Sequence, residues 1–413
     1  MKKTLCTLMT VLMVIALLPS AFAEDKTITV WMGSWWADDV ARVEEAFAAD
    51  PANEGYDLVI ETFPNNSYVE KIIAAVLGGT APDVAAIDVT FLGALMRRDL
   101  LIEFTEEDLA EMDVEDFKPG IWNSCLYDGK AYAIPYRGGI GEAFVLNKAL
   151  FEQAGVPLPE EDWTLEDFLE ICEALKAGAN GEFYPYAVAG STVDPANFET
   201  SFTWLLYANG GSWVNEEQTE VTMDSEGSVA AIQMWMDLFE NGYVPEGCIN
   251  YTISNDVLPM FTEGKIAMMN YSDAYVDAIK ESDIDYVVYK TPSGFGRTGG
   301  WLFTIPISTE NEAGAKQFVK WFTESDNLGE LMIRMPSRIS STENYAPWNS
   351  EDYAVLNEAA ALAKAPPTLP EFTELRLIII TEMQKAVMGE QTAEEAAANI
   401  VEQGNALIAE GMI

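Results

Sequence analysis

The stretch DGKAYAIPYRGGIGEAFVLNKALFEQAG, from Asp128 to Gly155, decides how this chain folds. Its Asp-Gly start predicts a tight turn, because glycine supplies the positive φ that such turns need. A short strand is predicted from Ala131 to Ile134, and Pro135 is expected to end it because proline cannot donate to a strand ladder. The start of the stretch is therefore predicted to belong to a first folded unit, which the chain then leaves.

Arg137 is followed by three glycines within four residues. A second strand is predicted from Glu142 to Leu146, and Asn147 then caps a helix that ends at Gly155. The chain thus leaves one folded unit, crosses a flexible polar segment and enters another. Such a crossing favours a hinge and a ligand cleft at the same place.

Residues 1–23 have the three parts of a secretory signal peptide: a charged start, an apolar run and an Ala-x-Ala cleavage site. The apolar run is too short to span a bilayer comfortably. We therefore predict a soluble periplasmic protein whose mature chain starts at Glu24, with an uncleaved membrane anchor as the alternative. Cys6 precedes the apolar run, so it is not the lipidated cysteine of a lipoprotein.

The charge balance excludes several classes of partner. The chain has 67 acidic and 23 basic residues and a formal net charge of −44. Such a surface repels phosphates, nucleic acids and anionic lipids. The chain has no histidine, so the usual proton shuttle and metal ligand are both missing. We therefore expect no nucleic-acid partner, no metal and no cofactor.

Three cysteines lie beyond the predicted signal peptide, namely Cys125, Cys172 and Cys248. Their odd number and irregular spacing fit neither a zinc site nor a disulfide framework. We expect three buried thiols, and one disulfide with one free thiol is the alternative.

About 390 residues remain beyond the signal peptide, more than one hydrophobic core usually serves, so two lobes are expected. Strands and helices alternate along the chain, which indicates α/β lobes, each a mixed sheet covered by helices. In such sheets ligands bind beyond the carboxyl ends of the strands. This rule places Trp35, Trp36 and Asp88, which follow two predicted strands, at one rim.

A second crossing is predicted at the glycine pair before Trp301, where the chain returns to the first lobe. The predicted limits are 24–134 plus 302–338 for the first lobe, 135–301 plus 339–413 for the second, and hinges near 135–141 and 299–301. Two C-terminal helices are expected to pack on the second lobe. Thr392 and Glu395 have the spacing of a capping box for the last one.

Short motifs that recur in one family of receptors are spread along the chain. They are ITVW (28–31), GGTAPDVAAID (78–88), DGKAYAIPY (128–136), VLNKALFEQAG (145–155), FTWLLYANGG (202–211), MFTEGKIAMM (260–269), GGWLFTIPIS (299–308) and MGEQTAEEA (388–396). Together, and in this order, they resemble the extracellular solute-binding proteins of the maltose-binding type, the sugar receptors of ABC importers. The resemblance implies a monomer with the two-lobed type II fold of periplasmic binding proteins, which closes over a ligand and delivers it to permease transmembrane subunits.

The resemblance also implies ligand contacts. The positions assigned in this way are Trp35, Trp36, Asp88, Glu199, Trp204, and Tyr271 or Asp273. Arg137 stands at the crossing where the maltose receptors have an acid, and this departure argues against a malto-oligosaccharide. From the residues themselves, Trp301 and Arg338 are added as contacts.

The chemistry of these residues suits a sugar or an oligosaccharide. Sugar hydroxyls need paired donors and acceptors, because an unpaired buried polar group costs about 1–3 kcal/mol. The C–H faces of a sugar ring suit flat indoles, which combine apolar area with an N–H donor. The predicted tryptophans, carboxylates and Arg137 supply both needs.

Two other functions remain open from the sequence. A receptor for a cation such as a polyamine would use acids and aromatic rings, although Arg137 at the crossing argues against it. A secreted glycoside hydrolase would need two carboxylates about 5–9.5 Å apart, for which Asp88 and Glu199 are the candidates. No catalytic spacing is evident, so we expect a binding protein and not an enzyme.

Overall fold

The computed structural model describes residues 26–64, 68–140, 142–360 and 362–411, so the predicted signal peptide lies outside the described residues. The strands, in chain order, are β1 (Thr27–Gly33), β2 (Asp57–Phe63), β3 (Val84–Asp88), β4 (Leu126–Tyr127), β5 (Lys130–Ala131), β6 (Ile134–Ile140), β7 (Ala143–Asn147), β8 (Tyr184–Tyr186), β9 (Ile266–Tyr271), β10 (Tyr286–Lys290) and β11 (Gly299–Thr304). The helices are α1 (Val40–Ala49), α2 (Tyr68–Gly78), α3 (Leu92–Met96), α4 (Glu106–Ala110), α5 (Pro119–Asn123), α6 (Lys148–Ala154), α7 (Leu165–Ala179), α8 (Pro195–Ala208), α9 (Glu226–Glu240), α10 (Leu258–Thr262), α11 (Val276–Lys280), α12 (Glu312–Phe322), α13 (Ser325–Leu331), α14 (Ile339–Asn344), α15 (Glu351–Ala360), α16 (Phe372–Val387) and α17 (Ala393–Gly411). None of these described helices has the length and apolar character needed to cross a membrane.

One lobe is built on a five-stranded sheet in the order β2-β1-β3-β11-β6. β1 runs parallel to β2 and β3, whereas β11 is antiparallel to β3 and β6, so the sheet is mixed, as predicted. The first four residues of β3 are fully buried, which fits a strand covered on both faces. Phe303 of β11 packs against Phe318 and Phe322 of α12, with ring centroids 5.3 and 5.2 Å apart.

The other lobe is built on a four-stranded sheet in the order β10-β7-β9-β8. β7 is antiparallel to β10 and β9, and β8 is parallel to β9. Every residue of β7 and β9 is buried, because α6, α7 and α15 pack against this sheet. Phe144 of β7 lies at the centre of the aromatic core, 5.0 Å from the ring of Trp204 and 5.4 Å from that of Tyr186.

The two C-terminal helices, α16 and α17, pack against each other and against α8 and α9. The predicted capping box is present: the Glu395 backbone N–H donates to Thr392 Oγ1 at 3.2 Å, and the Thr392 N–H donates to Glu395 at 3.0 Å. Cys125, Cys172 and Cys248 are free and buried, which confirms the expectation of three thiols.

The glycine-rich crossing is a strand over most of its length, which corrects the prediction of a flexible segment that begins at Pro135. β6 continues through Pro135 because the ladder to β11 is irregular there, at a shift between Trp301 and Leu302, and a bulge tolerates proline. Gly138 has a φ of 134°, and a Cβ at this position would lie 2.6 Å from the Gly299 carbonyl oxygen. Glycine is therefore required by the close approach of β6 and β11.

A third chain segment, which the sequence did not predict, runs beside β6. The Gly138 N–H donates to the Met335 carbonyl at 3.2 Å, and the Ser337 N–H donates to the Tyr136 carbonyl at 3.3 Å. The Ser337 hydroxyl also donates to the Pro135 carbonyl at 2.6 Å. Residues 335–337 thus satisfy the outer edge of β6 near the crossing.

Candidate ligand-binding site

Three side chains predicted from the sequence lie in one row at the end of the five-stranded sheet. Trp301 of β11 is paired in register with Asp88 of β3 on one side and with Arg137 of β6 on the other. Residues paired across neighbouring strands lie on the same face of a sheet. The row therefore brings a carboxylate, an indole and a guanidinium together at the rim that the strand rule predicts.

Asp88 is oriented by the turn that follows it. Its Oδ1 accepts from the Thr90 backbone N–H at 3.0 Å and from the Thr90 hydroxyl at 2.7 Å. Among the described residues, no hydrogen-bond donor reaches its Oδ2. One carboxylate oxygen thus fixes the side chain, and the other remains available to accept from a ligand hydroxyl.

Trp35 adjoins this rim, and its neighbour Trp36 does not. The rings of Trp35 and Trp301 meet edge to face with centroids 5.7 Å apart, and Arg137 Cζ lies 5.2 Å from the centroid of Trp35. Trp36 is fully buried, 5.8 Å from the ring of Phe322. The structure therefore places Trp36 in the core of the first lobe.

An ion pair joins the two lobes across the site. Asp273, in the loop after β9, is 1% exposed, and its Oδ1 accepts from Arg137 Nη2 of β6 at 3.1 Å. Its Oδ2 accepts from the Met335 backbone N–H at 2.9 Å. One carboxylate thus connects the four-stranded sheet to the five-stranded sheet and to the third chain segment.

A second charged network at the site is organised by Arg297. Arg297 Nε donates to Glu142 at 3.0 Å, and its Nη2 donates to the Thr200 hydroxyl at 2.9 Å. Its Nη1 lies 3.5 Å from Glu199, which also accepts from Arg376 of α16 at 2.9 Å. The network runs from the crossing segments through α8 to a C-terminal helix.

Burial shifts the ionisation of this network. Burial raises the pKa of Glu142 to about 8, and Arg297 offsets this only in part. Burial acts to lower the pKa of Arg297, but the carboxylates of Glu199, Glu142 and Asp88 together raise it above its ordinary value. Arg297 therefore stays charged, whereas Glu142 holds its proton more tightly than an exposed glutamate does.

A cavity of about 150 Å³ lies between the two lobes at this place. Its walls come from the Asp88–Trp301–Arg137 row, from Asn197 and Thr200 of α8, from residues 272–275, and from Glu142 and Arg297. The charged side chains that line it are three acids and two arginines. Tyr275 adds a buried hydroxyl, whose pKa burial raises to about 12.

A larger groove of about 530 Å³ lies elsewhere, between the loop after α6 and helix α7. It is lined by one lobe only, and its charged lining residues, within the part of the chain that the structure describes, are acids. It carries none of the residues predicted to contact a ligand. The cavity between the lobes is therefore the candidate site.

Some predicted contacts lie away from this cavity. Trp204 and Tyr271 are fully buried, and Trp204 packs between Phe144 and Phe168 in the core of the second lobe. Arg338 is enclosed by the Met112 and Thr323 carbonyls, to which it donates. The start of α8, from Ala196 to Thr200, reaches the cavity, whereas Trp204 lies one turn further along, where the aromatic core encloses the helix.

Glu199 reaches the site only indirectly. It is fully buried and holds Arg297, which lines the cavity, but it is not itself a lining residue. Its position is thus that of a supporting carboxylate between two arginines. Among the predicted contacts, Asp88, Arg137, Asp273 and Trp301 line the cavity.

Sequence reasoning missed Glu142, Asn197, Thr200, Tyr275 and Arg297. Arg297 lies in SGFGRTGG, a charged residue among glycines just before the predicted second crossing, and Glu142 follows the glycines of the first. The same signal that selected Arg137, a charge beside glycines at a crossing, would have selected both. Nothing in the sequence pattern marks Asn197 or Thr200.

The comparisons with known proteins agree with this architecture. The sequence model of a family described as bacterial extracellular solute-binding protein matches residues 41–364. A binding protein of Brucella abortus is 24% identical, with 89% of each chain covered, and the galactooligosaccharide-binding protein of Bacillus subtilis is 21% identical, with 86% of this chain and 83% of that protein covered. An ABC transporter solute-binding protein of Thermotoga lettingae, solved with α-D-tagatose, superposes with a TM-score of 0.79 at 23% identity, over 93% of this chain and 100% of that chain.

Proposed function

Because this chain belongs to the bacterial extracellular solute-binding protein family, we propose that its inter-lobe cavity binds an uncharged sugar for delivery to an ABC permease. The observation that carries the proposal is the charge pairing of the cavity. Arg137 is paired with Asp273, and Arg297 lies within ion-pair distance of both Glu199 and Glu142, so neither cation needs a carboxylate from a ligand. The ligand that such a cavity favours is polar and neutral.

The donors and acceptors of the cavity match the hydroxyls of a sugar. Asp88 offers a free acceptor oxygen, and the guanidinium groups and Asn197 offer donors. Hydrogen bonds to charged groups are worth about 1.5–3 kcal/mol each, roughly twice as much as neutral ones. The indole of Trp301 supplies the apolar face that a sugar ring needs. Relatives named for binding a galactooligosaccharide or solved with tagatose support the same chemistry.

The remaining parts of the proposal follow from the family and the sequence. Members of this family are extracellular, and residues 1–23 support export to the periplasm with cleavage before Glu24. The partners we propose are a carbohydrate and the transmembrane subunits of an ABC permease, with the receptor acting as a monomer. The proposed ligand contacts are Asp88, Arg137, Asp273 and Trp301, with Trp35 packed against Trp301 as its support.

Two observations disfavour the alternatives. A polyamine carries two or more positive charges, but Asp273 and Glu142 already contact arginines, which leaves Asp88 as the one cavity carboxylate, among the described residues, that is free to pair with such a ligand. A glycoside hydrolase needs a carboxyl group that donates a proton to the glycosidic oxygen. Glu199 is fully buried and paired with Arg376 and Arg297, which excludes it from that role. We therefore propose that the chain is not an enzyme.

Calorimetric titration with a panel of saccharides, polyamines and peptides tests the proposal. At least one neutral saccharide should bind. Asp88→Ala should weaken its binding by about tenfold or more, because a charged acceptor is lost. The matched control is Asp57→Ala, an exposed carboxylate on β2, which should leave binding unchanged. Binding of a polyamine with no response to any saccharide, or shortening of an oligosaccharide during incubation, would overturn the proposal.

A further inference from the structure

The cavity between the lobes is small for a ligand site. Its volume of about 150 Å³ is roughly half of the ~300 Å³ at which pockets for drug-sized ligands begin. It is also lined by both lobes, so its size is set where they meet. A ligand that the two lobes enclose must therefore fit this space.

Two arginine–carboxylate contacts line the cavity. Arg137 and Asp273 connect the lobes, and Asp273 is fixed further by the Met335 N–H. Arg297 is fixed by Glu142 and Thr200. A longer ligand would require the lobes to stand further apart, which would separate Arg137 from Asp273. Leaving one charge of a buried pair without its partner is strongly unfavourable.

The aromatic surface is also small. Trp301 and Tyr275 are the aromatic residues that line the cavity within the described residues. Trp35 lies behind them, and the Arg137 guanidinium packs over its ring. Trp301 is only 5% exposed, so the indole surface that it offers to a ligand is small. This surface can serve one sugar ring and not a chain of them.

We propose that this site takes a single-ring, uncharged sugar and that the Arg137–Asp273 pair excludes longer saccharides by holding the two lobes together at the cavity. This inference rests on the proposed function of the same cavity.

The test compares ligands of different length on the full mature chain. Calorimetry with a panel of pentoses, aldohexoses and ketohexoses, and with di- and trisaccharides built from them, gives the ratio of affinities. The best single-ring sugar should bind about 100-fold more tightly than any longer saccharide that contains it. The double variant Arg137→Ala/Asp273→Ala removes both charges together, so no unpaired charge remains, and the ratio should fall at least about tenfold.

The outcomes separate this inference from the proposed function. If a di- or trisaccharide binds as tightly as the best single-ring sugar, the size limit is refuted while sugar binding stands. If no saccharide of any length binds, the proposed function fails and this inference fails with it. If the double variant folds, as judged by its thermal melt, and keeps the wild-type ratio, the Arg137–Asp273 pair does not set the size. If the double variant does not fold, the wild-type ratio alone decides the size limit.

Discussion

The rim of the five-stranded sheet and helix α8 of the second lobe both carry residues that the sequence assigned to the ligand, with different outcomes. At the rim, Asp88, Trp301 and Arg137 form one row and line the cavity. On α8, Trp204 points into an aromatic core and Glu199 pairs with two arginines. Both regions combine an acid with an indole, so residue type did not separate them.

The difference between the two regions is geometric. Strand ends in a sheet of this type open toward the crevice, so a residue directly after a strand is predicted to lie on the crevice side of the lobe. For a residue on a helix, the side can be predicted only when one face of the helix is exposed. In α8 the residues from Phe198 to Tyr207 are all buried, so burial and residue type did not distinguish Thr200, which lines the cavity, from Trp204, which packs in the aromatic core. Position at a strand end was the better guide to which residues line the cavity.

The largest expected effect tests the core position of Trp204. Trp204→Ala should lower the free energy of unfolding by about 4 kcal/mol, because a fully buried indole leaves a cavity. Urea denaturation measures this. Trp35→Ala at the half-buried rim is the control, and it should cost clearly less stability while it weakens sugar binding. If the Trp204→Ala protein is as stable as the wild type but no longer binds the sugar, Trp204 belongs to the ligand site and not to the core.

A somewhat smaller effect tests the role of Glu199 as a supporting carboxylate. Arg376→Met should cost about 3 kcal/mol of unfolding free energy, because Glu199 then loses its closest cation in a buried place. Lys385→Met on the same helix is the control. Its partner Glu382 keeps hydrogen bonds from Gln391 and Gln403, so the cost should stay below about 1 kcal/mol. Equal costs for both variants would argue against a special role for the Glu199 network.

A third test concerns the pH dependence of stability and the cavity residue Glu142. Its ordinary pKa is 4.5, and burial raises it to about 8 in the folded protein. Between these values the folded state holds a proton that the unfolded state has released, so the free energy of unfolding should fall as pH rises. One pKa unit corresponds to about 1.4 kcal/mol, which makes the slope measurable.

Urea denaturation of Glu142→Gln at intervals between about pH 5 and pH 8 provides the comparison. The variant lacks the titrating carboxyl, so its stability should fall less steeply over this range than that of the wild type. Parallel curves for the two proteins would show that Glu142 is ionised throughout, in an ordinary ion pair with Arg297.

Local signals predicted the elements well. Asn147 caps α6 as expected, with its side chain accepting from the Leu150 N–H, and Gly155 ends that helix with a φ of 69°. These features depend on neighbours within a few residues, which a sequence displays directly. The position of Asp88 at the rim could also be predicted from the sequence, because the strand before it is short, apolar and clearly bounded.

Pairings over long sequence distances could not be predicted. Glu142 and Arg297 are 155 residues apart, and no local pattern couples them. Residues 335–337 pair with β6 from a still more distant part of the chain, and they carry no strand signal of their own. The orientation of Trp204 depends on which helices surround α8, including α16 from the C-terminal end. Such contacts arise only once the lobes have assembled.

The three buried cysteines have a practical consequence. Burial raises the pKa of all three thiols, that of Cys248 to about 12, so the reactive thiolate form is scarce. A recombinant chain that starts at Glu24 would therefore present little background to a maleimide dye. One cysteine introduced at the mouth of the cleft would carry that dye alone, and the receptor would become an optical sensor that reports its own ligand.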